Sequence, residues 1–484
     1  MAVEHIIIDD PSELTLDLAR RVGYSGATLQ IGPKAIRHIS SGRSAFEAHL
    51  AAHENGYVYG TTTQPGGRAK KTASAAVQKK QGTTLASFVS LQVGYLDQLL
   101  PERTVRLILL ARLANALSGR SRLTVETVTA IAHMLDGPMP IVPMASSTGP
   151  GEVIPLCWAL APIQDLPLKQ GEAMSLINGS PCSTAMICEA AISARQQLTI
   201  CTNVFAYMIE TARAPMMHFD LRLAELSSDP SYQTALDAVS NLLTGAETEG
   251  RLSYQAPVSW RIIPTVVSVA EAAVKTAEDV ALAALTSVSD NPAMLGSLDD
   301  PTQISMASTG GFHNMRASRA IDQLNSAFAD LTALLGKQTA RLIDGKPFGF
   351  PAYLCPEDSE GIGGEYLAWV QSGATEQARY AATPATLLTG LEDPDGNQSD
   401  VAISTFLAYE RNLYGRNVLN SAMATALITG DLAHKIHGCT LASKVQKFRD
   451  LFEFNVTYDD GLRGMGQAMR DAKQQIVTLS ESGL

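Results

Sequence analysis

Apolar residues recur at helical spacing through most of this chain, and the pattern changes character near its middle. In the first part, "RTVRLILLARLANALSG" (103–119) repeats apolar positions every three to four residues and ends on Gly119, a helix stop signal. Around it lie shorter pieces. "EHIIIDDPSELTL" (4–16) reads as a strand, a turn and a helix start with Ser12 as its N-cap. "GTTTQPGGR" (60–68) and "STGPGEV" (147–153) read as loops rich in Gly, Pro and Thr. From about residue 183 the periodic stretches lengthen: 183–214, 268–288, 316–343 and 406–437 are Ala-rich and helical in period. Several exceed the usual globular helix, which predicts a bundle of long, closely packed helices. The expected fold is mainly α. An N-terminal lobe with active-site loops spans 1–182, a central long-helix bundle 183–440, and a helical end 441–484.

Composition narrows the function. Lys plus Arg number 37 against 48 Asp plus Glu, a net charge of −11. An acidic chain without a basic stripe is a poor match for nucleic acid or an anionic membrane surface, so neither partner is expected. The one basic cluster, "GGRAKKTASAAVQKK" (66–80), reads as a solvated loop and helix face. Six cysteines without metal-ligand spacing fit buried, reduced thiols in the cytoplasm. No signal peptide or membrane span is expected from the pattern. His434-x-x-His437 has helical spacing but no third ligand or Glu beside it, and is read as surface; no metal is expected.

Candidate chemistry emerges from short motifs in a fixed order. They are "YGTTTQPGG" (59–67), "SLQVGYLDQLL" (90–100), "STGPGEVIPL" (147–156), "GEAMSLINGS" (171–180), "YQAPVSWR" (254–261), "VSDNPAML" (288–295), "GGFHNMRASRAIDQL" (310–324), and "ATPATLLTG" through "GNQSDV" (382–401). Together they resemble the aromatic amino acid ammonia-lyases and aminomutases, the family of histidine, phenylalanine and tyrosine ammonia-lyases. Eight collinear matches carry what any one would not.

That family makes its electrophile by cyclising and dehydrating an Ala-Ser-Gly tripeptide into a methylidene-imidazolone. The resemblance lays this tripeptide on Gly149-Pro150-Gly151, followed by the acidic Glu152. Proline has no hydroxyl to eliminate and no N–H, so no exocyclic methylidene can form there. Ala145-Ser146-Ser147 and Ser147-Thr148-Gly149 are the alternatives; the first lacks the attacking glycine and the second needs a two-residue slip. Neither displaces the expectation that the electrophile, and any other cofactor, is absent.

The resemblance also assigns roles. Tyr59 matches the loop tyrosine that removes the β-proton, and Arg261 the guanidinium that holds the substrate carboxylate. Asn178 and Gln255 match substrate-orienting amides, and Phe312 an aromatic beside the electrophile. Against these stand blander readings: a packed loop tyrosine, an inter-helix ion pair, amides satisfying backbone, a core phenylalanine. His313, beside Phe312, reads as a site residue or a helix cap, with the cap preferred. The late catalytic position falls on Gln398, Ser399 or Asp400. Leu99 and Val258 replace a family histidine and tyrosine.

Two classes of function follow. The first is a carbon–nitrogen lyase without the electrophile, resembling the branch that acts on ergothioneine-type histidine betaines, where trimethylamine leaves unaided. It calls for an aromatic cage, with Tyr57, Tyr95, Trp158 and Trp260 as candidates. The second is a non-catalytic homologue that binds an aromatic amino acid derivative; a conventional ammonia-lyase comes third. The resemblance further implies a homotetramer with active sites shared among subunits, acting on a small amino acid or betaine.

Overall fold

The computed structural model describes residues 3–53, 56–81, 92–144, 149–252, 254–355, 364–385, 389–390, 398–454, 456 and 462–482. In chain order the elements begin with β1 (His5–Ile8), α1 (Leu16–Tyr24), β2 (Thr28–Ile31), α2 (Pro33–Ala52), α3 (Ala75–Gln81), α4 (Glu102–Leu117) and α5 (Val125–His133). Next come α6 (Val153–Ala159), α7 (Glu172–Ile177), α8 (Pro181–Thr211), α9 (Pro230–Leu242), α10 (Val258–Arg261), α11 (Ile263–Leu285), α12 (Met315–Asp344), α13 (Glu365–Ala381), α14 (Thr405–His437), α15 (Ser443–Arg449) and α16 (Leu462–Ser482). The fold is mainly α, as the periodicity predicts. The four long Ala-rich stretches are α8, α11, α12 and α14.

The chain divides into two compact units. The first comprises Met1–Ile192, Ala277–Ile321 and Ala385–Glu410. Its strands β1 and β2 pair in parallel, His5 opposite Thr28 through Ile8 opposite Ile31. Helix α4 forms its spine: every residue from Thr104 to Leu117 is buried. A helix apolar on all sides belongs in a core, yet α4 also carries arginines, and each is used. Arg106 donates to the carbonyls of Val22 (2.7 Å), Ala27 (2.8 Å) and Leu135 (3.3 Å), tying α1, the residue before β2 and the turn after α5 to the spine. The helix stops at Gly119, whose φ of 68° suits glycine. Helix α1 packs on α4. Its cap is Thr15, whose Oγ1 accepts from Leu18 N at 3.1 Å. Ser12, the expected cap, lies inside a preceding 3-10 turn (Pro11–Glu13) that Asp10 and Glu13 close as a reciprocal capping box. The turn takes up the residues that the sequence pattern assigns to the helix start.

The second unit comprises Ser193–Thr276, Asp322–Pro384 and Arg411–Leu484. Trp260 is fully buried there, 4.7 Å from the Phe348 ring between centroids, with its indole N–H donating to Met208 O at 3.3 Å. Asp431 anchors the end of α14 by accepting from Lys435 (2.8 Å) and Arg449 (3.0 Å). His437 packs on Phe350 at 4.3 Å, and His434 faces the Cys439 sulfur at 3.5 Å. The pair is therefore half-buried packing and not the surface feature expected, because aromatic and sulfur neighbours cover it. All six cysteines are free, four of them buried. Among the described residues no helix is long and apolar enough to cross a membrane.

Candidate active site

The first unit holds a cavity of about 760 Å³, room for an amino-acid-sized ligand. Its walls come from six places: the loop after Tyr59, the Pro150–Val153 turn, the α7–α8 junction at Asn178, and the segments around Asn291, Ser308–Phe312 and Gln398–Ser399.

The Tyr59 loop is built on a stem of buried threonines. Val58 N donates to Thr62 Oγ1 (2.8 Å), and that hydroxyl donates to Gly56 O (2.6 Å). Ala73 N donates to Thr62 O (2.7 Å), and Thr63 bridges Thr72, so the loop returns to its own base. At its tip a 3-10 turn, Gly66–Arg68, presents its first amide to the phenol: Gly66 N donates to Tyr59 Oη at 2.9 Å. Gly66 has φ of 63°, a conformation other residues avoid, so the aim of that N–H rests on glycine. An N–H at this oxygen steadies negative charge developing there.

The Gly149-Pro150-Gly151 turn brings Pro150 and Gly151 into another wall of the cavity. Gly149 O accepts from Ile403 N at 3.1 Å, and a Cβ added at Gly151 would meet the Phe312 ring at 3.3 Å. The absent side chain lets that ring lie against the turn. Glu152 follows, fully buried, with one carboxylate oxygen accepting from Cys182 N (2.6 Å) and the other from Ser183 N (2.8 Å) at the start of α8. The two donors and the helix N-terminus favour the carboxylate. Burial opposes them more strongly and raises the group to about 7. Glu152 thus exchanges a proton near neutrality inside the cavity wall.

A buried ion pair holds the adjoining walls. Arg112 on α4 donates to Asp290 Oδ1 at 2.8 Å, with 1% and 0% of the two side chains exposed. The same guanidinium donates to Asn178 O at 2.9 Å. Ser289 Oγ accepts from Ser180 N at 2.9 Å. Asn178 and Asn291 are therefore positioned from beneath by the spine helix. Asn178 Oδ1 accepts from Gly179 N (2.9 Å), and Asn291 Oδ1 from Thr309 N (2.9 Å).

Of the residues singled out in the sequence, Tyr59, Pro150, Gly151, Glu152, Asn178, Phe312, Gln398 and Ser399 line this one cavity. Gly149 supports the turn from behind. Asp400 is exposed and outside the lining, whereas Gln398 and Ser399 lie within it. Gln255 and Arg261 belong to the second unit, where Arg261 Nε donates to Ala256 O at 3.1 Å; neither lines the cavity. His313 is not the cap of α12: Asn314 Oδ1 accepts from Ala317 N (3.1 Å), and His313 Nε2 instead meets Ala402 O at 3.3 Å. Leu99 pairs with Pro143 in an isolated bridge, and Val258 opens α10. The expected cage is different in kind. Tyr57 and Tyr95 are exposed, Trp158 donates to Val93 O (3.2 Å), Trp260 is core of the second unit, and the aromatic lining is Tyr59 and Phe312. Arg68 lines the cavity unannounced, since its basic run reads as a solvated face. Residues 145–148, which include the alternative serines and Thr148, lie outside the described residues.

An aromatic amino acid lyase family model matches residues 14–163 and 157–452. Histidine ammonia-lyase of Vibrio cholerae is 25% identical over 447 residues, covering 85% of this chain and 84% of its own length. Among solved structures, ergothionase from Treponema denticola, in complex with desmethyl-ergothioneine sulfonic acid, superposes with a TM-score of 0.87 at 18% identity. It covers 99% of this chain and 100% of that one. Phenylalanine aminomutase from Pantoea agglomerans gives 0.87 at 17% identity, with 99% of each chain covered.

Proposed function

This chain belongs to the aromatic amino acid lyase family, and from that premise we propose that it is a carbon–nitrogen lyase whose leaving group needs no electrophile, releasing trimethylamine from a histidine betaine. The observation that carries the reading is Pro150 in the wall of the same cavity as a tyrosine loop that is otherwise fully built. Gly149-Pro150-Gly151 does not fit a dehydrated, ring-closed group, because Pro150 has no hydroxyl to lose. A primary amine leaves a carbon slowly, which is what an electrophile remedies. A quaternary nitrogen departs as a neutral amine, and a base with preorganised dipoles then suffices.

In this reading Tyr59, as phenolate, takes the β-proton while the Gly66 N–H holds its oxygen. The C–H electron pair becomes the Cα–Cβ double bond, and the Cα–N pair leaves with trimethylamine. Asn178, Asn291 and Gln398 supply amides for the polar end of the substrate, and Phe312 the face for its ring or methyl groups. Gln255 and the Arg261 carboxylate clamp enter from a neighbouring subunit of a cytoplasmic homotetramer, as the family resemblance implies. The likeness to ergothionase, with its betaine-derived ligand, supports the substrate class.

The test is proton NMR of the purified protein with histidine, phenylalanine, tyrosine, and the trimethylated histidine betaines with and without ring sulfur. A free trimethylamine signal rising with a matching olefin is expected from a betaine. The Tyr59→Phe variant should lose at least about a hundredfold of that rate, the scale of a positioned base. Ammonia from an unmethylated amino acid would move the function to conventional lyase chemistry. Inertness towards the whole panel would favour a binding role.

A further inference from the structure

A second cavity in the first unit, of about 550 Å³, shares no lining residue with the first. Arg43 on α2 is the fixed group of its wall, 7% exposed and held at three points. Nε donates to Glu47 Oε1 (2.8 Å), and Nη1 to the carbonyls of Arg122 (2.8 Å) and Gln170 (3.0 Å). Nη2 donates to no described residue. Lys169 lines the same cavity, is exposed, and its ammonium pairs with no described residue. Glu47, the acid of this lining, is engaged by Arg43. The Glu172 carboxylate on α7 is turned to Thr124 N (2.7 Å), Thr124 Oγ1 (2.9 Å) and Lys169 N (2.7 Å). The lining thus sets two cations against one carboxylate, on a chain whose net charge is −11. A guanidinium already anchored offers its remaining N–H groups with little further loss of freedom, and an oxyanion leaving water needs such charge-assisted donors.

The same cavity reaches the stem of the Tyr59 loop, because Thr62 lines it together with Gln78 and Gln170. Gln170 Nε2 donates to Gln78 Oε1 (3.3 Å), and Gln78 Nε2 to Ala73 O (2.8 Å). Ala73 N in turn donates to Thr62 O (2.7 Å), and the Thr62 hydroxyl accepts from Val58 N (2.8 Å), next to Tyr59. A run of hydrogen bonds therefore joins the wall that holds Arg43 to the loop that carries the proposed base.

We propose that this second cavity is an oxyanion site, taking a phosphate or carboxylate group of a small metabolite, and that its occupation steadies the Tyr59 loop through its stem. Such a ligand is an effector and not a substrate: it favours the closed stem by as much as it prefers that state to the opened one. The proposal goes beyond the lyase reading and is read without turnover, so either can fail alone.

The experiment is peptide-resolved hydrogen–deuterium exchange of the full-length protein with inorganic phosphate or succinate, against sodium chloride at matched ionic strength. One or both anions should slow exchange across 58–73, by up to about tenfold at ten times Kd, while α9 in the second unit keeps its rate. Response to phosphate alone identifies a phosphate-bearing ligand, response to succinate alone a carboxylate-bearing one, and response to both the shared site. Lys169→Gln should raise the anion concentration for half-protection by about three- to fivefold, the scale of an exposed ion pair. Arg43→Gln should raise it by at least about tenfold. That second change also removes two bonds to carbonyls, so Lys169→Gln, which removes none, decides the matter if the Arg43 variant does not fold. Arg68→Gln, in the first cavity, should leave the concentration unchanged. Protection that chloride reproduces, that is unshifted in Lys169→Gln, or that is lost in Arg68→Gln overturns the proposal. So does the absence of protection by either anion up to about 50 mM, where even a millimolar site is filled.

Discussion

At the scale of the residue, the Gly149-Pro150-Gly151 turn is followed by a buried acid. Glu152 is held by two backbone amides yet raised to about 7 by burial, from an ordinary 4.5. A carboxyl raised by folding stabilises the native state fully below pH 4.5, and that contribution is lost as pH climbs through 7. Its size is on the order of 3 kcal/mol. Glu152→Gln should therefore flatten the fall in urea midpoint between pH 5 and 8. Its overall level should drop by about 1–3 kcal/mol, because the new amide faces one backbone N–H with another donor. An unchanged pH slope would remove Glu152 as the titrating group. The acid itself was legible beside the altered tripeptide, and so was Tyr59. Arg68 was not: three basic residues within four positions read as solvated, and only the return of the loop onto its threonine stem turns the first of them towards the cavity.

At the scale of the element, long helices announced themselves and junctions did not. Periodicity over thirty residues fixes which face is buried, so α8, α11, α12 and α14 were readable to within a few residues. A turn of three residues carries no such average. Ser12 and Thr15 are both good caps by type, and the Asp10–Glu13 box decides between them. The α4 spine shows the same limit: its sequence reveals a buried helix, but the partner of Arg112 lies 178 positions away. That pair supports two cavity walls, and breaking it is costly. Asp290→Ala should destabilise the protein by about 3–5 kcal/mol, since it strands a guanidinium in the core. Chemical denaturation checks this, and a loss below 1 kcal/mol would mean that Arg112 finds another partner.

At the scale of the whole molecule, eight collinear motifs identified the family that a model match over most of the chain then established. In the proposed tetramer, Gln255 and Arg261 reach the substrate from a neighbouring subunit. Shared active sites make a specific prediction. Light scattering should give four times the 51.5 kDa chain mass. Tyr59→Phe and Arg261→Gln proteins, each inactive alone, should regain up to about a quarter of wild-type turnover after mixed unfolding and reassembly. No recovery from a mixed tetramer would confine each site to one subunit.

The threonine stem of the Tyr59 loop has a consequence for evolution. Because Thr62, Thr63, Thr72 and Ala73 close the loop at its base, changes at the tip need not be absorbed by the helices beneath. Position 68 can vary at little cost to folding while the ligands admitted to the cavity change. Such a loop is a place where single codon changes explore new substrates, on a scaffold that still folds.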